Sequence, residues 1–153
     1  MSDTGVAAGW LGDLPVEFRR GEFIISTDRR LIPPADALAL LHTTFWGGAM
    51  TVSVMERAIA KSVSFGVLHG ELLVGFGRVI TDLATYAYWS DVVIAPDYRG
   101  KGLGLWLSEC MLRHPELQGF RRITLLTRDA GALYAQVGFT EGAGPLTYME
   151  IRP

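Results

Sequence analysis

The spacing of hydrophobic positions along the 153 residues predicts a chain in which helices and strands alternate. Residues 1–20 show no period and predict a loose arm, whereas residues 23–27 predict a short strand. Pro34 suits a first helical position, and the apolar stripe expected after it consists of Leu38, Leu41, His42 and Phe45. Residues 46–50 should end that helix. Ser53 and Glu56 then have the spacing of a capping box, which predicts a second helix running toward Ser62.

The second half of the chain predicts more strands than helices. Residues 64–68, 72–80 and 85–94 are expected to form strands joined by turns at residues 69–70 and 81–84. A helix that ends before Pro115 is predicted from one apolar stripe: Leu103, Leu107, Cys110 and Met111. Residues 123–127 predict a buried strand and residues 148–151 a last one. Between them, Asp129 is placed to cap a helix whose stripe is Ala130, Leu133, Tyr134 and Val137. The resulting order, β-α-α-β-β-β-α-β-α-β, is that of a mixed α/β sheet.

The segment from Asp91 to Leu107 combines an apolar strand, a turn with two basic residues and three glycines, and a helix. This order suits a phosphate-bearing ligand, because a helix start presents free backbone N–H groups and the positive end of its dipole. A Walker loop does not fit, because Lys101 is followed by glycine rather than by serine or threonine. A dinucleotide fingerprint also fails, because leucine occupies the position of its third glycine. The pattern that fits is R-x-x-G-x-G, at Arg99, Gly102 and Gly104.

A second segment lies downstream, with the pattern A-x-x-L-Y-x-x-x-G-F at Ala130, Leu133, Tyr134, Gly138 and Phe139. Together the two segments resemble the GNAT superfamily of N-acetyltransferases, whose motif A carries that glycine loop. The resemblance covers roughly residues 72–151. It implies a single GNAT domain over residues 1–153, built on a mixed, largely antiparallel sheet flanked by helices, with acetyl-CoA as the co-substrate.

The resemblance assigns cofactor contacts to two adjoining segments. The backbone of Val92, Val93 and Ile94 would hydrogen-bond the pantetheine arm of CoA. The loop would cradle the pyrophosphate through Arg99, Gly100, Lys101, Gly102, Leu103 and Gly104. The family often has asparagine seven residues before the tyrosine, in contact with the pantetheine, and here Thr127 stands in its place. Thr127 could still form a hydrogen bond, and Arg128 could reach the 3′-phosphate.

Tyr134 is the candidate catalytic residue. Acyl transfer to an amine expels a thiolate, which benefits from a proton donor, and a phenol with a reference pKa near 10 stays protonated at neutral pH. The resemblance implies that this tyrosine lies beside the CoA sulfur. No general base is identifiable, because Asp91, Asp82 and Glu71 suit a solvated or capping role better. A water relay is the alternative to a side-chain base.

Acceptor specificity is expected from the loop between the first two helices and from the central strands. The candidate residues are Trp46, Tyr86 and Tyr88, with Arg78 on the neighbouring strand. Alternation places Tyr86 and Tyr88 on one face of the sheet and Trp89 on the other. Aromatic side chains in these positions could bind an apolar or cationic amine, or they could belong to the core. Peptide, polyamine and small-metabolite acceptors all remain open.

Composition narrows the classes of partner. The net charge of −2 and the pI near 5.9 give no basic footprint for nucleic acid, and no apolar run approaches the ~20 residues of a membrane span. The first residues lack a secretory-signal pattern, so we expect a cytoplasmic protein. The single cysteine, Cys110, cannot form an internal disulfide and is expected to be buried and inert. No metal is predicted, because His42, His69 and His114 lack ligand spacing.

The sequence therefore predicts an acyltransferase that moves the acetyl group of acetyl-CoA to a primary amine by direct attack in a ternary complex. The acceptor would be a small molecule or a peptide, with no nucleic acid or membrane as partner. The alternative is a catalytically silent module that binds acyl-CoA as a sensor. A nucleotide-binding domain that uses the same loop is a third interpretation. A homodimer is expected by resemblance alone.

Overall fold

The computed structural model describes residues 14–142 and 144–153, and within them six strands form one sheet in chain order. The strands are β1 (Glu17–Arg20), β2 (Phe23–Ser26), β3 (Val63–His69), β4 (Leu72–Thr81), β5 (Tyr86–Ile94) and β6 (Arg122–Leu125). The helices of this part of the chain are α1 (Pro34–Leu41), α2 (Val52–Ala60), α3 (Leu103–Arg113) and α4 (Gly131–Ala135). Neighbouring strands are antiparallel except β5 and β6, which are parallel. The predicted mixed, largely antiparallel α/β sheet is confirmed.

Two hydrophobic clusters cover the two faces of the sheet. The α3 cluster joins Leu107 and Met111 of that helix to strand residues such as Trp89. The α1–α2 cluster joins Leu41 and Met55 to other strand residues, among them Phe76 and Val93. Burial of a large apolar side chain stabilises the fold by about 1.5–3 kcal/mol, so these clusters fix which face each strand residue occupies. No helix in the described residues is both long enough and apolar enough to cross a membrane.

Helix α1 begins at Pro34, as predicted, but ends at Leu41, one turn before the end of the predicted stripe. The chain reverses at this point, and the backbone of Gly47 approaches the helix so closely that a Cβ there would lie 2.1 Å from the carbonyl oxygen of Leu41. The reversal leaves His42 and Phe45 exposed. Their predicted place in the buried stripe is therefore wrong.

Two predicted helix caps are also wrong, and in both places a nearby threonine forms a hydrogen bond with the backbone, which caps the helix only in α2. The hydroxyl of Thr51, rather than that of Ser53, accepts a hydrogen bond from a backbone N–H in the first turn of α2 at 3.3 Å. Thr127 accepts a hydrogen bond from the N–H of Ala130 at 3.0 Å, ahead of α4. Asp129 therefore does not cap that helix, whose N-cap residue is Ala130.

The edges of the sheet differ from the prediction at both ends of the chain. β1 lies inside the predicted loose arm, and residues 1–13 of that arm lie outside the described residues. The predicted buried strand over residues 123–127 is the edge strand β6, whose side chains are half-buried or exposed.

The predicted last strand over residues 148–151 is absent from the structure, although the chain there is described. The hydroxyl of Tyr148 and the guanidinium of Arg152 both donate to the carboxylate of Glu150, at 3.0 and 2.7 Å. Met149 and Ile151 are 86% and 93% exposed. An apolar pattern alone was misleading here, because a strand also needs a neighbouring strand to pair with.

The side chains of β5 change face partway along the strand. Trp89 packs in the α3 cluster, whereas Val93 packs in the α1–α2 cluster. Strict alternation would place residues four apart on the same face. The register with β4 shifts between Phe76 and Arg78, so β5 carries one extra residue in a β-bulge. Asp91 lies in this bulge with a φ of 58°, in the left-handed region that non-glycine residues seldom adopt.

Candidate active site

The strands β5 and β6 run side by side and then separate. Their paired register ends at Trp89 and Leu125, whereas β5 continues to Ile94. Beyond the point of separation, the described residues place no strand against this edge of β5, so the backbone N–H and C=O groups that point to this edge have no strand partner there. The predicted cofactor residues on this edge are Val92, Val93 and Ile94, whose side chains pack in the two clusters.

The unpaired edge leads into the glycine loop, residues 99–104. Gly100 and Gly102 both have a φ of 77°, which explains glycine at these positions. A Cβ at either position would meet nothing within 4 Å, so the space beside the loop is open to a ligand. Gly104 has a different reason, because a Cβ there would lie 3.3 Å from the Cδ1 atom of Leu133 on α4. The loop is therefore shaped both for access and for the packing of α3 against α4.

Two basic side chains and free backbone N–H groups occur together where the glycine loop meets α3. Gly102 is the N-cap residue of α3, so the N–H groups of the first turn have no partner within the helix. The Nε of Arg99 donates to the carbonyl of Ile94 at 3.0 Å, which holds the guanidinium at the end of β5. Lys101 is exposed, whereas Leu103 is buried and can offer a ligand only its backbone. These features suit a phosphate group.

Tyr134 lies on α4 with its ring in the α3 cluster. The ring packs edge-on against Trp89 and Phe139, with centroids 6.3 and 5.8 Å apart. Burial raises the pKa of the Tyr134 phenol, because the charged form is poorly solvated there. The phenol therefore holds its proton at neutral pH.

An open groove follows β6 and α4, and it brings several predicted residues together. Its lining includes Tyr86, Tyr88, Thr127 and Tyr134. Within the described residues, Trp46 does not line this groove. It lies 45% exposed in the α1–α2 loop, with its ring edge-on to that of Phe45 at 5.1 Å. The groove thus joins the predicted catalytic residue to two of the three predicted acceptor residues.

The two tyrosines of the groove have different surroundings. Tyr86 is 43% exposed, and its hydroxyl forms a hydrogen bond with the hydroxyl of Thr124 on β6. Tyr88 is half-buried, and burial raises the pKa of its phenol, with the negative charge of Asp91 as the second cause. As alternation predicts, Trp89 faces the opposite way, into the α3 cluster.

The segment after β6 contacts the loop between α1 and α2 through a pair of side chains. The guanidinium of Arg128 lies 3.6 Å from the ring centroid of Phe45, a cation–π contact that sequence reasoning missed. No signal in either residue type marks this pairing, because the two positions are 83 residues apart in the chain. The predicted contact of Arg128 with a 3′-phosphate stays a prediction.

The three candidate general bases differ in their surroundings. Asp82 caps a turn, because its Oδ2 atom accepts from the hydroxyl of Thr85 and its Oδ1 atom accepts from the N–H groups of Thr85 and Ala84. These hydrogen bonds, the one from the Thr85 hydroxyl above all, hold the pKa of Asp82 far below its usual range. Glu71 is exposed in the turn between β3 and β4. Asp91 is neither solvated nor a cap. Its Oδ2 atom accepts from the Nε of Arg78 at 2.6 Å, and the exposed fractions of the two side chains are 7% and 12%.

The thiol of Cys110 is fully buried on α3, and burial raises its pKa. A protonated, inaccessible thiol is a poor nucleophile, so the prediction that Cys110 is inert agrees with its surroundings. Within residues 14–142 and 144–153, no three side chains of histidine, cysteine, aspartate or glutamate lie close enough together to hold a metal ion.

Comparisons with known proteins agree with this architecture. The family model of the acetyltransferase (GNAT) domain matches residues 60–141. A crystal structure from Xanthomonas campestris pv. campestris, of a protein assigned as a GNAT-family acetyltransferase, is 37% identical with a TM-score of 0.81, covering 88% of this chain and 96% of that one. A protein of Gibberella zeae assigned as an acetyltransferase is 29% identical over 145 residues, 80% of this chain and 81% of its own length.

A crystal structure from Clostridium acetobutylicum shares the fold, at a TM-score of 0.61 and 10% identity, over 90% of this chain and 94% of that one. That protein is assigned as an acetyltransferase and was crystallised with acetyl-CoA. The sheet that opens beside a glycine loop and these matches define an acyltransferase. The chain belongs to the GNAT acetyltransferase family.

Proposed function

We propose that this chain is an acetyl-CoA-dependent N-acetyltransferase that acetylates a primary amine by direct attack in a ternary complex. The observation that carries the proposal is the unpaired edge of β5, which runs directly into the glycine loop at the start of α3. A groove lined by Tyr134 lies beside the point where β5 and β6 separate. The fold that the Clostridium acetobutylicum protein presents to acetyl-CoA supports the same use here.

Two neighbouring segments of the chain would bind two different parts of acetyl-CoA. The backbone of residues 92–94 would hold the pantetheine arm as a neighbouring strand would, because this edge has no strand partner among the described residues. The N–H groups of residues 99–104, with Arg99 and Lys101 beside them, would hold the pyrophosphate. The open space beside Gly100 and Gly102 fits an anion at that place. Thr127 lines the same groove as Tyr134.

Tyr134 would act as the general acid. Acetyl-CoA supplies an acetyl group activated as a thioester. The amine forms its new C–N bond at the carbonyl carbon, the C–S bond breaks, and the sulfur takes the phenol proton of Tyr134. The raised pKa of this phenol keeps the proton in place until the thiolate forms. The amine loses its own proton to solvent or to a water relay, and the Tyr134 phenolate takes up a proton from solvent, which restores the phenol.

Parallel thermal unfolding with acetyl-CoA, CoA, ATP and NAD tests the cofactor. A ligand at 100 times its dissociation constant stabilises the native state by about 2.7 kcal/mol, which raises the melting temperature by several degrees. We expect a shift with the two CoA ligands only. A shift with ATP or NAD alone would instead identify a nucleotide-binding domain.

Release of free CoA thiol from acetyl-CoA in the presence of amines tests the transfer. Amine-dependent thiol release is the expected result. Binding of CoA with no thiol release for any primary amine in a broad panel would favour the acyl-CoA sensor. The two measurements together separate a wrong cofactor from a missing activity.

A further inference from the structure

Arg121 and Arg122 are two exposed basic residues at the start of the edge strand β6. Within the described residues, neither guanidinium forms an ion pair, a hydrogen bond or a contact with an aromatic ring. Most other arginines of this part of the chain contact a carboxylate, a carbonyl or a ring. Two adjacent positive charges without a counter-ion, on a chain of net charge −2, favour an anionic ligand at this place.

The two arginines line one pocket together with Thr85 and Tyr86 at the start of β5. The backbone sets their positions, because the N–H of Arg121 donates to the carbonyl of Thr85 at 3.0 Å and Arg122 pairs with Tyr86 in the parallel register. The carboxylate of Asp82, in the turn before β5, accepts hydrogen bonds from that turn and forms no ion pair with either arginine. The pocket therefore presents two guanidinium groups that are free to bind a ligand.

The pocket opens into the groove that Tyr134 lines, because three of its four lining residues also line that groove. Alternation places the side chains of Arg122 and Thr124 on one face of β6. The hydroxyl of Tyr86 forms a hydrogen bond with that of Thr124, so the Tyr86 ring lies against this face. Tyr88 lines the groove two residues further along β5. A ligand bound at the arginine pair can therefore extend past the two tyrosine rings.

The arginine pair and the glycine loop lie in opposite directions from the point where β5 and β6 separate. Arg122 is three residues before Leu125, where the pairing of the two strands ends. This separation is roughly 10 Å along the strand. The glycine loop lies beyond the other end of β5, after Ile94. The pyrophosphate of acetyl-CoA would bind at that loop, so an anion at the arginine pair would belong to the acceptor rather than to the cofactor.

We propose that Arg121 and Arg122 bind an acidic group, a carboxylate or a phosphate, at the end of the acceptor remote from its amine. Guanidinium groups bind both oxyanions through charge-assisted hydrogen bonds that are frequently bidentate. The acceptor is then an amine whose acidic group is several bonds away, with the chain between them against Tyr86 and Tyr88. An α-amino acid does not fit, because its two groups share one carbon, and a polyamine has no acidic group. This inference rests on the proposed acetyl transfer.

Isothermal titration with three probes built on one hexyl chain tests this role. The acidic probes are 6-aminohexanoate and 6-aminohexyl phosphate, and 6-aminohexanamide replaces the carboxylate with a neutral amide of the same shape. We expect the wild-type protein to bind at least one acidic probe about tenfold more tightly than the amide, because hydrogen bonds between charged groups are the stronger kind. The double variant Arg121→Gln/Arg122→Gln should reduce this preference to within about twofold. It should fold, because both side chains are exposed and have no partner to lose in the described residues.

Arg57→Gln is the matched control, because Arg57 is an exposed arginine in the last turn of α2 and does not line the groove. It should keep the preference for the acidic probe. If the wild-type protein binds neither acidic probe more tightly than the amide, the inference is wrong. A preference that survives in the folded double variant overturns it as well, since another site would then bind the acid. Acetyl-CoA titrated into the same samples tests the proposed function separately, because its affinity should be the same in the wild-type protein and the double variant. Failure to bind acetyl-CoA would contradict the proposed function, whereas a missing charge preference alone would contradict only this inference.

Discussion

At the scale of single residues, Tyr134 combines the properties that a proton donor to a thiolate needs. It lies in the groove, its ring is fixed between two aromatic neighbours, and burial raises its pKa. We predict that Tyr134→Phe lowers kcat by about 10²-fold or more, the usual contribution of a general acid, with little change in the KM for acetyl-CoA. Steady-state thiol release over a range of acetyl-CoA concentrations measures both constants.

Tyr98→Phe is the control for that prediction. It also removes one phenol, whose oxygen lies 2.9 Å from Nδ1 of His69, outside the groove. Turnover should be unaffected by this change. If Tyr134→Phe retained full kcat with saturating substrates, another group or a water would have to protonate the thiolate, and the catalytic role of Tyr134 would be wrong.

The residue scale also sets the limit of prediction from sequence. Tyr134 could be identified because its motif is local and its spacing to Gly138 and Phe139 is visible in the chain. The pairing of Asp91 with Arg78 could not, because it depends on a bulge that strict alternation does not reveal. The contact of Arg128 with Phe45 depends on how two loops meet. Long-range contacts of this kind follow from the fold as a whole.

At the scale of elements, the glycine loop offers a matched pair of positions. Gly102 has a φ of 77° and Gly119 a φ of 79°, and a Cβ at either would meet nothing within 4 Å. Each change to alanine should therefore destabilise the fold by about 1–2 kcal/mol through backbone strain alone. We predict that only Gly102→Ala also weakens acetyl-CoA binding, by about tenfold, because it displaces the N–H groups at the start of α3.

Chemical denaturation and isothermal titration of both variants check the two effects separately. Gly119 follows α3 and lies outside the glycine loop. Gly119→Ala therefore measures the effect of backbone strain alone, without a change in the loop that would bind acetyl-CoA. Equal acetyl-CoA affinity in the two variants would mean that the loop does not position the cofactor. Unequal loss of stability would mean that the two glycines differ in more than their ligand contacts.

Elements defined by local chemistry were predictable, and those defined by a neighbour were less so. The start of α1 follows from Pro34, and the course of α3 follows from its apolar stripe and the glycines before it. The edge strand β1 and the missing strand over residues 148–151 were not predictable, because pairing with another strand decides whether an extended segment becomes a strand. The cap of α2 at Thr51 rather than Ser53 shows that neighbouring hydroxyls near a helix start compete for the same N–H groups.

At the scale of the whole molecule, stability should depend on pH through His114. This side chain is 1% exposed at the end of α3, and its Nδ1 accepts from the N–H of Glu116 at 3.1 Å. Its Nε2 is buried without a hydrogen-bond partner in the described residues, and its ring packs edge-on to that of Phe65, with centroids 5.7 Å apart. Burial lowers the pKa of His114, so the folded protein keeps the ring neutral where the unfolded chain would protonate it.

The unfolded state therefore binds more protons between the lowered folded pKa and the unfolded value of about 6.5. Above pH 6.5 both states are neutral at this position and stability is unaffected. As the pH falls below 6.5, we predict that the free energy of unfolding decreases by up to about 1.4 kcal/mol per pH unit from this group. Urea denaturation at pH values from 7.5 to about 5, above most carboxylate pKa values, measures the slope.

His114→Phe should flatten that slope, because the replacement ring cannot take up a proton. His42→Asn, which changes an exposed histidine beyond the end of α1, should leave it as in the wild-type protein. An unchanged slope in His114→Phe would assign the pH dependence to other groups. The comparison rests on slopes, so a change in baseline stability does not affect its outcome.

The change of face within β5 has a consequence for how this site can vary. The extra residue in the bulge at Asp91 shifts the alternation of inward- and outward-facing side chains by one position. Residues 86–89 therefore follow one alternation, and residues 92–94 follow the opposite one. Deleting one residue there would turn either half inside out and exchange core side chains for surface ones. With the extra residue retained, one strand carries two parts; under the proposed function, residues 92–94 would bind acetyl-CoA and Tyr86 and Tyr88 would face the acceptor. The two tyrosine positions could then change with the acceptor while the half of β5 that leads into the glycine loop stays as it is.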